Sequence, residues 1–169
     1  MTLFLDTETT GLGRGDRLVE IGVVDDTGAV AFQSLINPGM PIPPEVSEIH
    51  GITDAMVRDA PLLDDIAASL RTMLIADGSV VIYNADFDCR FFPRKFWTSI
   101  DVACAMLRYR NELGRWDRLG NAAKRAGHVW EGDAHRAVAD ALACRSVWNW
   151  LERRASPARP PPTTARPRR

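Results

Sequence analysis

Residues 3–12 read Leu-Phe-Leu-Asp-Thr-Glu-Thr-Thr-Gly-Leu, and this stretch decides how the rest of the sequence is interpreted. Its apolar start predicts a buried strand, and its end carries two acids, Asp6 and Glu8. Because side chains alternate faces along a strand, residues two apart point the same way, so the two carboxylates project together. Like charges held this close repel, and a hard divalent cation such as Mg2+ relieves the repulsion. A frayed strand end with both acids hydrated is the alternative, and the stretch alone leaves both interpretations open.

The composition is that of a globular protein. A chain of 169 residues fits one domain with its own core, and a hydrophobic content of 46% with 25% charged residues is ordinary for that class. No apolar run approaches the roughly 20 residues of a membrane span, and the N-terminus has no signal-peptide pattern. Cys89, Cys104 and Cys144 are too widely spaced for a disulfide framework or a zinc knuckle. We therefore expect a cytoplasmic protein without a membrane partner.

The charge is distributed unevenly. Six of the 21 basic residues lie between positions 153 and 169, a stretch without acids, which leaves 15 basic against 22 acidic residues in the body, a net charge of −7. An acidic body tolerates nucleic acid only through local basic patches or metal ions. We predict a domain over residues 1–154 and a disordered Pro- and Arg-rich tail over residues 155–169, with phosphate binding by the tail as the alternative.

The apolar pattern predicts strands first and an alternation of strands and helices afterwards. Strands are expected from Leu3, at residues 16–26, 29–36 and 79–83 and, more weakly, at 97–100. Helices are expected at residues 44–51, 62–76, 85–92, 101–111, 118–126 and 135–153, and a loop is expected at 128–134. A further short helix is expected after Thr53, which would cap it, and Asp101 would cap the helix at 101–111. This order predicts an α/β fold with a mixed sheet flanked by helices. The first strand would be central, which places Asp6 and Glu8 at a strand end where such folds bind ligands.

Further acids and a histidine occur where later elements meet this strand end. Asp88 and Asp86 follow the fourth strand, and Asp88 is the better site candidate because Asp86 is expected to face solvent or cap the helix. His135 and Asp140 are five apart, which suits a pair only if Asp140 lies on the last helix and His135 in the loop before it. Near a bound metal, such a histidine could accept a proton from water. Helix-terminal acids and a surface histidine are the alternatives.

Three short motifs occur in order: Asp6-Thr7-Glu8-Thr9-Thr10-Gly11, Asn84-Ala85-x-Phe87-Asp88 and His135-x-Ala137-x-x-Asp140. Together they resemble the motifs of the DEDDh 3′–5′ exonucleases, the ribonuclease T superfamily that includes exodeoxyribonuclease X and the epsilon subunit of DNA polymerase III. The stretches 37–44 and 49–53 also resemble this family, and the resemblance covers about residues 2–152.

The resemblance implies a ribonuclease H-like fold with a five-stranded sheet and a specific division of roles among the site residues. Asp6, Glu8, Asp88 and Asp140 would hold two Mg2+ or Mn2+ ions, and His135 would be the general base of a two-metal mechanism that releases nucleoside 5′-monophosphates. Thr9 and Leu12 match positions that seat the terminal nucleotide, and Asn84 matches a hydrogen-bonding position. Asp101 matches a structural aspartate.

Departures from the family leave the substrate open. Tyr83 stands where many relatives carry histidine, and the tail lacks the polymerase- and clamp-binding segment of the epsilon subunit. We expect a stand-alone exonuclease acting on single-stranded or frayed DNA. The alternatives are the same chemistry on RNA, a proofreading subunit with a polymerase partner, and a non-catalytic nucleic-acid-binding module. The sequence does not indicate the oligomeric state.

Overall fold

The structure, a computed structural model, describes residues 1–130 and 135–155. The strands are β1 (Thr2–Thr9), β2 (Leu18–Val24), β3 (Val30–Leu35), β4 (Ser79–Ile82) and β5 (Asp101–Cys104). The helices are α1 (Pro44–His50), α2 (Asp54–Val57), α3 (Leu63–Asp77), α4 (Ala85–Asp88), α5 (Ala105–Leu113), α6 (Leu119–Arg125) and α7 (Ala137–Ala155). Three strands followed by an alternation of helices and strands agree with the order that the apolar pattern predicts.

The strands form one mixed sheet in the order β3-β2-β1-β4-β5. The meander β1-β2-β3 is antiparallel, whereas β4 and β5 run parallel to β1. Strand β1 is therefore central, with β2 on one side and β4 on the other. The prediction of a mixed five-stranded α/β sheet is confirmed, and the acidic end of β1 lies between two neighbouring strands.

Helices cover both faces of the sheet. On one face, Leu3 and Leu5 of β1 pack in a core with Leu70 and Leu74 of α3. On the other face, Phe4 of β1 packs in a second core that the last helices complete, with the buried residues Tyr109, Ala122, Ala141, Cys144, Val147 and Leu151. Because faces alternate along β1, Asp6 and Glu8 lie on the same face as Phe4, beneath α7.

The first turn of α7 rests directly on β2 at Gly22. A Cβ built on Gly22 would lie 2.5 Å from the carbonyl carbon of Ala137 and 2.5 Å from the nitrogen of Val138. Gly22 is also the register partner of Asp6 on β1. Glycine therefore permits a close approach of helix and sheet at the level of the acidic strand end.

We expect Gly22→Ala to lower the free energy of unfolding by about 1–3 kcal/mol, because the new methyl group meets backbone rather than a movable side chain. Urea unfolding measures this loss. The matched control is Gly120→Ala in α6, where a Cβ would meet nothing within 4 Å. That control should gain up to about 1 kcal/mol from helix propensity. An unchanged midpoint in Gly22→Ala would contradict the close contact.

Several predicted boundaries are wrong, most clearly around the fifth strand. Residues 97–100 are not a strand: Trp97 ends a short 3-10 turn, and β5 begins at Asp101 because the parallel register pairs Asp101 with Ser79. Asp101 therefore caps no helix, and α5 begins at Ala105. Asp101 is exposed at the opposite end of the sheet from the acidic end of β1, which agrees with a role outside the site.

Two other local predictions are corrected. The helix predicted over residues 85–92 is the short α4 followed by a 3-10 turn at Cys89–Phe91, since Pro93 ends the segment. Thr53 stands at the N-cap of α2, but its side chain makes no capping hydrogen bond.

Two predictions concern the ends of the described segments. The predicted tail at residues 155–169 lies outside the described residues apart from Ala155, which ends α7, and residues 131–134 of the predicted loop also lie outside them. Within residues 1–130 and 135–155, no helix combines the length and apolar character that crossing a membrane requires.

Candidate active site

Three carboxylates converge where the end of β1 meets α7. Asp6 and Glu8 project from β1, and Asp140 comes from the first turns of α7. One carboxylate oxygen from each lies within 4.8 Å of the others. The spacing of two residues on a strand therefore places the acids of the first motif on one face, as predicted, and the fold brings the acid of the third motif to them.

The electrostatics of this group are unfavourable without a cation. Burial and the charges of Asp88, Asp140 and Glu8 raise the pKa of Asp6 well above its ordinary value. Burial and the charges of Asp140 and Glu20 raise the pKa of Glu8 to about 8. Burial also raises the pKa of Asp140, although the charge of His135 opposes the change. Like charges and desolvation thus act in the same direction, as expected of a functional site.

Asp88 lies beside this group, and Asp86 does not contribute to it. Asp88 is 4% exposed at the end of α4, whereas Asp86 is exposed. The Thr7 hydroxyl donates a 2.6 Å hydrogen bond to Oδ1 of Asp88. Burial raises the pKa of Asp88 to about 7, and the Thr7 hydrogen bond opposes this. Asp88 is not one of the three acids whose oxygens lie within 4.8 Å of one another, but its hydrogen bond from Thr7 places the second motif against the strand that carries the first.

His135 stands immediately before α7. It is exposed, and its φ of 65° is in the left-handed region, which is uncommon for a residue with a side chain. Its backbone N–H points at Oδ1 of Asp140, with 3.4 Å between the atoms. His135 therefore lies outside the helix, whereas Asp140 lies on it. This is the arrangement in which two residues five apart can form a pair.

The residues expected to seat a nucleotide have different environments. The Thr9 hydroxyl is buried and donates to the carbonyl of Gly11 at 2.8 Å, so Thr9 shapes the turn that follows β1. The Leu12 side chain is 79% exposed at the tip of that turn. Asn84 is half-buried, and its carbonyl accepts the backbone N–H groups of Phe87 and Asp88. Leu12 is thus available for contact, while Thr9 and Asn84 support the two acidic segments.

Sequence reasoning missed Glu20 and Arg136. Glu20 is fully buried in β2, opposite Glu8 in the strand register, and Arg136 binds both of its oxygens. The signal was present, because a lone acid within the apolar run Leu18-Val19-Glu20-Ile21 needs a buried partner. The partner could not be identified, since Arg136 is 116 residues away in sequence.

Arg90 was missed as well. Its guanidinium lies 4.3 Å from the ring centre of Phe87 and 4.9 Å from that of Phe91, and it donates to the Leu12 carbonyl at 2.8 Å. Arg90 therefore ties the turn after β1 to the segment that carries Asp88.

The donor set fits a hard divalent cation. Carboxylate oxygens are the ligands that Mg2+ and Mn2+ prefer, and a bound cation would offset the burial and mutual repulsion that raise the pKa values of Asp6 and Glu8. Glu20 differs from the others, because its oxygens already accept four hydrogen bonds.

We expect the stability of the metal-free protein to fall as the pH rises from about 5 to 8. The pKa of Glu8 is raised from 4.5 to about 8 and that of Asp88 from 3.8 to about 7. A carboxyl whose pKa is raised by folding stabilises the fold below its unfolded pKa and loses that contribution as the pH passes through the folded value. Thermal unfolding in EDTA measures the fall, and saturating Mg2+ should reduce it. A melting temperature that rises over this pH range in EDTA would contradict the assignment.

A family model described as Exonuclease (RNase_T) matches residues 3–147, a range that includes all three motifs. The chain belongs to the RNase T exonuclease family. The member named uncharacterized exonuclease CP81, from Escherichia phage 186, is 40% identical over 158 residues, covering 82% of this chain and 81% of that one. The DNA polymerase III epsilon subunit of Treponema pallidum is 35% identical over 160 residues, covering 86% and 74% of the two chains. The match to the epsilon subunit of Rickettsia typhi covers 53% of this exonuclease and 41% of that subunit.

Solved structures share the fold. Exonuclease X, in complex with 5′ overhanging duplex DNA, superposes with a TM-score of 0.73 at 27% identity and covers 92% of this exonuclease and 93% of its own chain. Escherichia coli exonuclease I with a dA16 oligonucleotide gives a TM-score of 0.74 at 20% identity, with 91% and 41% coverage, and so supports the fold alone. The predicted membership of the ribonuclease T superfamily and the ribonuclease H-like sheet are confirmed.

Proposed function

We propose that this chain is a metal-dependent 3′–5′ exonuclease that removes nucleoside 5′-monophosphates from single-stranded or frayed DNA ends. The observation that carries the proposal is the convergence of Asp6, Glu8 and Asp140 within 4.8 Å, with His135 next to Asp140. Family membership supports hydrolysis of a nucleic acid from an end. The polarity, the metal and the base are our proposal.

In this proposal Asp6, Glu8, Asp88 and Asp140 would hold two divalent cations, Mg2+ or Mn2+, which when bound would neutralise phosphate charge and acidify a coordinated water. Without bound cations, the negative charges of these acids would repel the substrate phosphate. This explains how a body with a net charge of −7 could accept a polyanion.

His135 acts as the general base in this proposal. An imidazole nitrogen takes a proton from the attacking water as the water oxygen bonds to the terminal phosphorus. The bond between that phosphorus and the 3′ oxygen of the preceding nucleotide breaks, and the 3′ oxygen leaves with its electron pair and takes a proton from a solvent water. The products are a nucleoside 5′-monophosphate and a strand that is one nucleotide shorter with a new 3′ hydroxyl.

In this proposal the turn after β1 receives the strand end. The exposed Leu12 side chain can pack against the terminal base, a contact that tolerates any sequence. A groove of about 950 Å³ lies along the same turn, and its lining includes Arg14, Arg17 and Arg90 beside the acids Asp16 and Asp64. None of the four proposed metal ligands lines this groove, and in this proposal its arginines supply positive charge for the phosphate backbone rather than at the acids themselves.

DNA is the favoured substrate because exonuclease X, which covers nearly the same length, forms a complex with DNA. RNA is the second candidate, since the same hydrolysis applies to an RNA 3′ end and only contacts to the 2′ hydroxyl would discriminate between the two substrates. The similarity to the Treponema epsilon subunit over most of both chains supports a polymerase partner as a further candidate.

Digestion of 5′-labelled oligonucleotides tests the proposal. Single-stranded DNA and RNA of one sequence are incubated with Mg2+, Mn2+ or EDTA, together with a DNA whose last 3′ linkages are phosphorothioates. We expect a ladder that shortens from the 3′ end, stops in EDTA and is blocked by the modified linkages. Internal fragments, release of the labelled 5′ nucleotide first, or no cleavage by the folded protein with metal would contradict the proposal.

A further inference from the structure

Glu20 is a fully buried acid, and three of its four hydrogen bonds come from residues at the start of α7. Its Oε2 accepts from Nε of Arg136 at 2.9 Å and from the N–H of Ala137 at 3.0 Å. Its Oε1 accepts from Nη2 of Arg136 at 2.7 Å and from Nε2 of Gln33 at 3.1 Å. A bidentate pair of this kind fixes orientation as well as distance. Glu20 therefore holds both the side chain and the backbone at the point where α7 begins.

Arg136 and Ala137 connect this anchor to the active site. Arg136 follows His135 directly, and its carbonyl accepts the N–H of Asp140 at 3.0 Å. On the sheet side, Glu20 is the register partner of Glu8, and Gly22 allows the backbone of residues 137 and 138 to touch β2. The first turn of α7 is thus fixed at a side-chain contact and a backbone contact, both on the strand next to the one that carries Asp6 and Glu8.

We propose that Glu20 is a positioning residue that acts through Arg136 to hold α7 so that Asp140 and His135 face Asp6 and Glu8. This rests on the proposed function. Glu20 is not a further metal ligand, because its four hydrogen bonds occupy both oxygens. Groups that orient metal ligands typically contribute 10- to 100-fold to metal affinity or activity.

The ion pair also has an electrostatic effect that the test must separate from positioning. Removing the charge of Glu20 alone leaves the positive charge of Arg136 near the acids, which would weaken cation binding even without movement of α7. Removing the charges of both Glu20 and Arg136 eliminates this electrostatic effect, but α7 still loses its anchor to β2.

The experiment compares Glu20→Gln, Arg136→Gln and the double variant with Glu152→Gln as control. Gln at position 20 keeps the size of the side chain but replaces one carboxylate oxygen, an acceptor, by an NH2 group, a donor. That NH2 group would face an N–H donor of Arg136, Gln33 or the Ala137 backbone and lose the hydrogen bond. Glu152 also lies on α7 and also pairs with an arginine, Arg108, but it is on the exposed part of the helix. The measurements are the Mn2+ dissociation constant by calorimetry, kcat and KM on single-stranded DNA, and the thermal midpoint.

We expect Glu20→Gln to weaken Mn2+ binding and lower kcat by about 10- to 100-fold with KM for DNA nearly unchanged, and Glu152→Gln to retain both values. The double variant should stay defective. Unchanged Mn2+ affinity and kcat in Glu20→Gln, or full recovery in the double variant, would overturn the proposal.

A milder variant covers the possibility that Glu20→Gln does not fold cooperatively. Arg136→Lys keeps the charge but loses the two-point contact, and we expect it to fold with an intermediate loss of Mn2+ affinity and kcat. Wild-type values in this variant would count against positioning by the guanidinium. The Mn2+ titration also distinguishes failure of the proposed function from failure of the positioning role. If the wild-type protein showed no exonuclease activity, the proposed function would be contradicted, but the Mn2+ affinities of the variants would still test whether Glu20 positions α7.

Discussion

Asp6→Asn is expected to lower exonuclease activity by at least about 1000-fold. Asp6 is central to the carboxylate group, with Glu8 and Asp140 inside the 4.8 Å cluster and Asp88 beside it. Metal ions contribute several kcal/mol to such reactions, and each 1.4 kcal/mol or so corresponds to a factor of ten in rate. Initial rates on 5′-labelled single-stranded DNA at saturating Mg2+ measure the loss.

The same substitution should raise the melting temperature of the protein in EDTA at pH 8. Burial and neighbouring negative charges disfavour the ionised form of Asp6, so a neutral side chain of the same shape relieves the repulsion. This opposite change in activity and stability distinguishes a functional acid from a structural one, whose loss would lower both.

The second motif offers a matched pair of controls. Asp88→Asn should reduce activity strongly, whereas Asp86→Asn, two residues away and exposed, should leave it within about twofold. Full activity in Asp6→Asn, or equal losses in the variants of Asp86 and Asp88, would contradict the site assignment.

His135→Asn is expected to lower kcat by about 100- to 10,000-fold, the range that a general base contributes. Asparagine is chosen because it tolerates the left-handed conformation at φ 65°, whereas alanine there would add backbone strain. The substitution leaves the carboxylates in place, so Mn2+ affinity measured by calorimetry should change little. Loss of turnover with retained metal binding would separate the base from the metal ligands.

The control for this variant is His128→Asn. His128 contacts Ser146 at 2.9 Å and packs edge-on against Trp130, and it is not one of the proposed site residues. We expect its turnover to stay within about twofold of wild type. A His135→Asn variant with wild-type kcat, or one that loses Mn2+ binding to the same extent as turnover, would contradict the role of His135 as a base.

The placement of the candidate acids could be predicted because it follows from local rules. Alternation along β1 puts Asp6 and Glu8 on one face, and the choice of Asp88 over Asp86 follows from the strand-to-helix transition. The five-residue spacing from His135 to Asp140 excluded a shared helix face. Each of these inferences needs only the neighbouring sequence.

The support of the site could not be predicted, because it depends on contacts between distant segments. Glu20 and Arg136 are 116 residues apart, and Gly22 meets the backbone of α7 only in the folded chain. The strand at 97–100 was mispredicted for a related reason. Phe96 and Trp97 pack in an aromatic cluster with Phe92, so their apolar character reflects burial in a turn rather than in a strand. The strand itself begins later, at Asp101, where pairing with β4 starts.

The most direct test of the central claim is to locate the metal. Anomalous diffraction from crystals grown with Mn2+ and a nucleoside 5′-monophosphate shows where the ion binds. We predict Mn2+ coordinated by Asp6 together with Glu8, Asp88 or Asp140, with the phosphate of the nucleotide on the same ion. Mn2+ bound elsewhere on the chain, with these carboxylates free of metal in the presence of the nucleotide, would contradict the account.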